Sequence, residues 1–99
     1  MIYNYPTEDE LKKLKEWDAF HDPKGLIDFI RDIWWMPDWG FILTGKRALR
    51  LQLHTGGWSG NEDIMNVLAE NFSFWFYFEK HLRGGHYYFK IPLKKKGAS

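Results

Sequence analysis

The sequence predicts an α+β domain: a four-stranded, antiparallel-rich sheet with three helices, in the order α-α-β-β-α-β-β, the helices mainly on one face. Three observations carry this. Apolar residues recur at helical spacing over two stretches before residue 36. Residues 48–54 and 86–93 alternate apolar with polar in the period-two manner of a half-buried strand. A third helical pattern, near 61–70, lies between two pairs of strand candidates, so amphipathic helices are at hand to cover one sheet face.

The first helix is expected at about 8–20. Thr7 caps it, Glu10 sits three residues on, and Glu8 and Asp9 complement the positive helix start. Leu11, Leu14 and Trp17 then share a face. Asp22-Pro23 stops one helix and starts the next, at about 24–35, whose wide apolar stripe runs from Leu26 to Trp34 before Pro37 ends it.

Residues 40–44 read as a short strand, and Thr44-Gly45-Lys46-Arg47 as a hairpin turn. Along 48–54, Leu49, Leu51 and Leu53 face one way, and Arg50, Gln52 and His54 the other. Ser59 and Glu62 have the spacing of a capping box for the helix near 61–70, which points Ile64, Val67 and Leu68 inward. Residues 72–81 read as a strand with Phe72, Phe74, Phe76 and Phe78 toward the core, and Ser73, Trp75, Tyr77, Glu79 and His81 away from it. Arg83-Gly84-Gly85 turns the chain. Residues 86–93 return with Tyr87, Phe89, Ile91 and Leu93 on the core side, and His86, Tyr88 and Lys90 on the other. The 99 residues are expected to form one domain over 1–93, with 94–99 as a flexible basic tail.

Composition narrows the function. The net charge of +1 gives no strong overall pull toward nucleic acid or an anionic membrane. The absence of Cys excludes disulfides, thiolate metal sites and cysteine nucleophiles, and fits a cytoplasmic protein. The polar, acidic stretch after Met1 is not a signal-peptide pattern, and no apolar run is long enough to span a bilayer. An aromatic share of 19% is above what a bland domain needs; the rings can bury much area in a small core and can also form an exposed recognition face.

The double reversal through the third helix makes the strands at 48–54 and 72–81 parallel, adjacent as a right-handed crossover. That brings His54, His81, Asp38-Trp39 and both Gly-Gly turns to one end of the sheet. The loop His54-Thr55-Gly56-Gly57-Trp58-Ser59-Gly60-Asn61-Glu62 enters a helix there. Its free N–H groups attract anions, though capping consumes the same donors and the spacing matches no phosphate-loop or dinucleotide fingerprint. His54, His81 and His86 converge in this picture, but without the short spacings typical of metal ligands. Gly57-Trp58-Ser59-Gly60 lacks the spacing of a nucleophile elbow. Trp34-Trp35-Met36-Pro37-Asp38-Trp39 has the makings of an aromatic cage, but a helix end packed on the sheet explains it equally well. No metal, cofactor or catalytic residue is assigned.

The blocks Trp34-Trp35-x-Pro37-Asp38-Trp39-Gly40-Phe41, His54 to Glu62, Phe74-Trp75 and Arg83-Gly84-Gly85-His86-Tyr87 resemble a group of small proteins of tailed bacteriophages and prophages. The likeness covers about 25–92. It implies a phage or prophage gene product in the cytoplasm of a bacterial host, and carries over no activity and no functional residue.

The expected function is non-enzymatic binding of a host or phage protein through the Gly-rich loops and an aromatic outer sheet face. Trp58, Trp75, Tyr77, Arg83, His86, Gly56 and Gly57 are the binding candidates: rings to anchor, Arg83 to pair with a carboxylate or phosphate, glycines to allow close approach. The same face offers two alternatives. One is a second copy of the chain. The other is nucleic acid or a nucleotide, with rings stacking on bases, for which Lys94-Lys95-Lys96 adds charge. If the first helix packed on that face through Leu11, Leu14 and Trp17, it would be closed to every partner. A small enzyme using the His and Ser cluster is the remaining alternative.

Overall fold

The computed structural model describes residues 5–92. Its elements run α1 (Glu8–Glu16), α2 (Pro23–Ile33), α3 (Pro37–Gly40), β1 (Phe41–Thr44), β2 (Ala48–His54), α4 (Ser59–Leu68), α5 (Phe72–Trp75), β3 (Phe78–Leu82) and β4 (His86–Pro92). The α+β class and the order of the expected elements hold; α3 and α5 are additional single turns. Leu93 and the basic tail lie outside the described residues.

Thr7 closes the capping box of α1 with Glu10. The helix stops at Glu16, short of the expected 20, because Trp17 turns extended and its indole N–H donates to the Asp22 carbonyl at 3.0 Å. Asp22 caps α2, with Pro23 in its first turn. Helix α4 starts two residues before its expected position, and its capping box does not form. Trp58 occupies the N-cap, and the Ser59 hydroxyl bonds the Tyr5 hydroxyl instead.

The four strands form one sheet in the order β1-β2-β4-β3, every neighbouring pair antiparallel. Strands β2 and β3 do run the same way, but β4 lies between them, so no adjacent parallel crossover exists. The β3–β4 hairpin turns back into the gap and takes the β2 edge for itself. Leu49, Leu51, Leu53, Phe89 and Ile91 lie buried against Leu14, Leu26, Ile27, Ile30, Ile64 and Leu68 from α1, α2 and α4. Leu14 is fully buried in this core, so α1 does not cover the other sheet face.

The largest departure is at 72–81. Asn71, 3% exposed, caps α5 by accepting from Phe74 N–H, while its amide donates to the Leu14 and Trp17 carbonyls at 2.7 and 2.9 Å. The chain is therefore helical where alternation predicts a strand. A single turn of helix cannot bury residues 72, 74 and 76 together. Phe74 goes inward onto Phe89, with ring centroids 4.6 Å apart, whereas Phe72 and Phe76 are 75% and 66% exposed. Only Phe78–Leu82 is strand.

Candidate functional site

Both glycine turns do lie side by side at one end of the sheet. Thr55, buried after the last residue of β2, donates its N–H to the Gly85 carbonyl at 3.0 Å. Gly56, Gly57, Gly84 and Gly85 all have φ between 63° and 93°, the left-handed region that side chains resist, so both turns are specified by their glycines. Asn61, 1% exposed, fixes the loop from inside. Its oxygen accepts from Trp35 N–H at 2.9 Å, and its amide donates to the Trp35 carbonyl at 3.1 Å and the Thr55 carbonyl at 3.4 Å.

The turns rim an open groove of about 510 Å³, lined by Thr55, Gly57, Glu62, Asn66, His81, Arg83 and Tyr87. His81 stacks on Tyr87, centroids 4.1 Å apart and planes within 4°. Of the predicted binding residues, Gly57 and Arg83 line this groove and Gly56 sits on its loop. Trp58 is half-buried and stacks on Tyr5 and on Trp35, at 5.4 and 5.0 Å.

The Trp34–Trp39 segment forms no cage. Trp34 is buried, Trp35 joins the stack on Trp58, and Trp39 lies against Gly56 while remaining 54% exposed.

The three histidines separate. His54 and His86 pair directly across β2 and β4, with Nδ1 atoms 2.7 Å apart. His81 is in register with Tyr87, on the helix-covered side. His54 Nε2 lies 3.2 Å from Gln52 Oε1, an acceptor, so the neutral His54 ring carries its proton there and accepts from His86 at Nδ1. Burial, with the neighbouring His86 second, holds the His54 pKa below its ordinary value. Among the described residues, no group of three His, Asp or Glu is placed to hold a metal.

The outer sheet face differs from the predicted one in composition. Trp75 stacks on Phe78 at 4.6 Å, in contact with buried Phe89, and so belongs to the core side. Tyr77 precedes β3 and packs partly into the core. Both shifts follow from the helical turn at 72–75, which moves these residues off the strand pattern. What remains outward on β2, β4 and β3 is Arg50, Gln52, His54, Glu79, Lys80, His86, Tyr88 and Lys90, with Glu79 beside Arg50. This face is polar and basic rather than aromatic.

The aromatic surface lies elsewhere. At the far end of the β3–β4 hairpin, Phe20 meets Phe72, Phe76 and Tyr77 edge-on, at centroid distances of 6.2, 5.5 and 6.2 Å. Phe20 is itself 46% exposed. Its turn is fixed: Asp18 accepts from Phe20 and His21 N–H at 3.0 and 3.2 Å, and Ser73 Oγ accepts from Ala19 N–H at 2.8 Å. The His21 side-chain hydrogen bond holds the Asp18 pKa below its usual value. Sequence reasoning assigned Phe72 and Phe76 to the core and passed over Phe20. The signal that could have corrected it is Asn71 followed by Ser73, two helix-start residues ahead of a run that otherwise looks like a strand.

The chain matches no family model, and comparisons with curated proteins and with solved structures find no match.

Proposed function

We propose that this is a phage or prophage accessory protein that works by binding a protein, of the host or of the phage, without catalysis. The phage context rests on the resemblance of its glycine-tryptophan blocks. The binding reading is carried by the Phe20–Phe72–Phe76 cluster. Three phenylalanines share one surface, two of them more than half exposed, with Phe20 on a turn held by Asp18 and Ser73 and Phe72 and Phe76 on and just after α5. Exposed rings packed on one another cost solubility and mark a place where another surface covers them. Aromatic anchors on a fixed backbone lose little entropy on binding. Tyr77 borders this cluster. At the Gly-rich end, Arg83 offers a second contact, to a carboxylate or phosphate of the same partner.

The test is affinity capture from a bacterial host lysate with the wild-type chain and a Phe20→Ser/Phe72→Ser/Phe76→Ser variant of matched fold. A defined partner retained by the first and lost by the second supports the reading. Equal capture by both removes it. Sedimentation of the purified chain separates a foreign partner from a second copy.

A further inference from the structure

The outer sheet face carries an arrangement that folding does not require. Arg50 and Lys90 stand directly opposite each other on β2 and β4. Like charges so placed destabilise a sheet. One rank along, Gln52 faces Tyr88, and Lys80 of β3 flanks Tyr88 in turn, its ammonium 5.0 Å from the ring centroid. Among the described residues, one carboxylate pairs with these cations: Glu79, 3.9 Å from Arg50, both about half exposed. Arg50, Lys80 and Lys90 thus surround a ring and an amide on an open face, with excess positive charge.

We propose that this face binds single-stranded nucleic acid, with Arg50, Lys80 and Lys90 on phosphates and Tyr88 against a base. Charge complementarity calls for an anionic partner. The ring beside the Gln52 amide, set among the cations, adds what a base needs: a stacking surface and a group that hydrogen-bonds base edges. A flat sheet face does not enter a duplex groove, which takes a helix or a two-stranded ribbon, so the strand is single. The Lys80 ammonium now over Tyr88 moves to a phosphate when a base takes its place. This proposal is independent of protein binding at the Phe20 cluster, which uses none of these residues.

The experiment is fluorescence anisotropy of a labelled 20-nucleotide oligo(dT) and a mixed-sequence RNA of equal length, titrated with the full chain over a range of salt. Duplex DNA and polyglutamate serve as comparison ligands. About three phosphate contacts should give log affinity a slope of about −2 against log salt. Arg50→Gln/Lys90→Gln should flatten that slope to about −0.7, with melting at or above wild type because the cross-strand repulsion is gone. Tyr88→Leu should weaken binding by about tenfold with the slope unchanged. No binding at low salt overturns the proposal. So does duplex bound as tightly as single strand, or polyglutamate bound equally well with Tyr88→Leu without effect; the last result would assign the face to an acidic protein.

Discussion

Thr55 and Gly85 lock the two glycine turns together. The Thr55 N–H donates to the Gly85 carbonyl, and the Thr55 hydroxyl fills the space that a side chain at Gly85 would need. Gly57, by contrast, faces open space, although its φ of 75° is equally left-handed. The two positions therefore separate backbone strain from crowding. Gly57→Ala should lose about 1–3 kcal/mol, the cost of holding a side chain in that region. Gly85→Ala should lose more, since Thr55 must also move. Denaturant melts of both variants check this, and equal losses would show that Thr55 yields freely.

Phe74 and Phe76 provide a second contrast. Phe74 is 1% exposed against Phe89, so Phe74→Ala should cost about 3–5 kcal/mol. Phe76 is two-thirds exposed, and Phe76→Ala should change stability by about 0.5 kcal/mol or less. Alternation alone would make the two equal. Thermal melts of the pair decide between a strand and a helical turn at 72–75.

That contrast shows where the sequence was legible. Strand β2 was readable because Leu49, Leu51 and Leu53 sit on a sheet with one wet face, where period two has only one physical cause. The adjoining of the glycine turns was readable because chain reversals fix which end each turn reaches. The run at 72–78 misled because alternating Phe residues satisfy a strand pattern whether or not they are buried. What decided the matter was Asn71, whose bonds to Leu14 and Trp17 link positions more than 50 residues apart, beyond any local pattern. For the same reason Trp75 was assigned to the wrong face and the Phe20 surface went unseen, whereas His81 changed face through a register shift between Phe78 and Lys80 that strict alternation does not foresee.

Asn71 is accordingly a structural clamp. Its amide holds the end of α1, and its oxygen starts α5. Asn71→Ala leaves the Leu14 carbonyl and the Phe74 N–H without their Asn71 partner at a buried position, while the Trp17 carbonyl keeps the Ser73 hydroxyl. A loss of about 2–4 kcal/mol is expected, more than one ordinary hydrogen bond contributes. Because α5 presents Phe72 and Phe76, the variant should also lose any partner held by the Phe20 cluster. Retained stability would mean that water replaces the side chain.

Arg83 should behave in the opposite way. It is exposed on the rim of the Gly-rich groove. Arg83→Ala should shift stability by less than about 1 kcal/mol, while weakening a partner that presents a carboxylate or phosphate there. Melting and partner affinity measured on one preparation distinguish this from a structural role. Unfolding of the variant would make Arg83 a clamp between the turns.

The His54–His86 pair predicts a pH dependence of defined sign. In the neutral state His54 accepts at Nδ1 from His86 and donates at Nε2 to Gln52. A proton on His54 sets two donors against each other across 2.7 Å. Burial and the neighbouring His86 lower the folded pKa of His54 from its ordinary 6.5, so the folded state favours the neutral ring. Between that lowered value and 6.5, the unfolded chain binds more protons than the folded one, and stability rises with pH. The contribution is therefore complete above pH 6.5 and is lost as pH falls through the depressed folded pKa. Melting temperature should decline from pH 7.5 toward pH 5, and His54→Gln should flatten that decline. Carboxylate titration contributes mostly at lower pH, so the window near neutrality reports on histidine. An unchanged slope in His54→Gln would assign the dependence to another group.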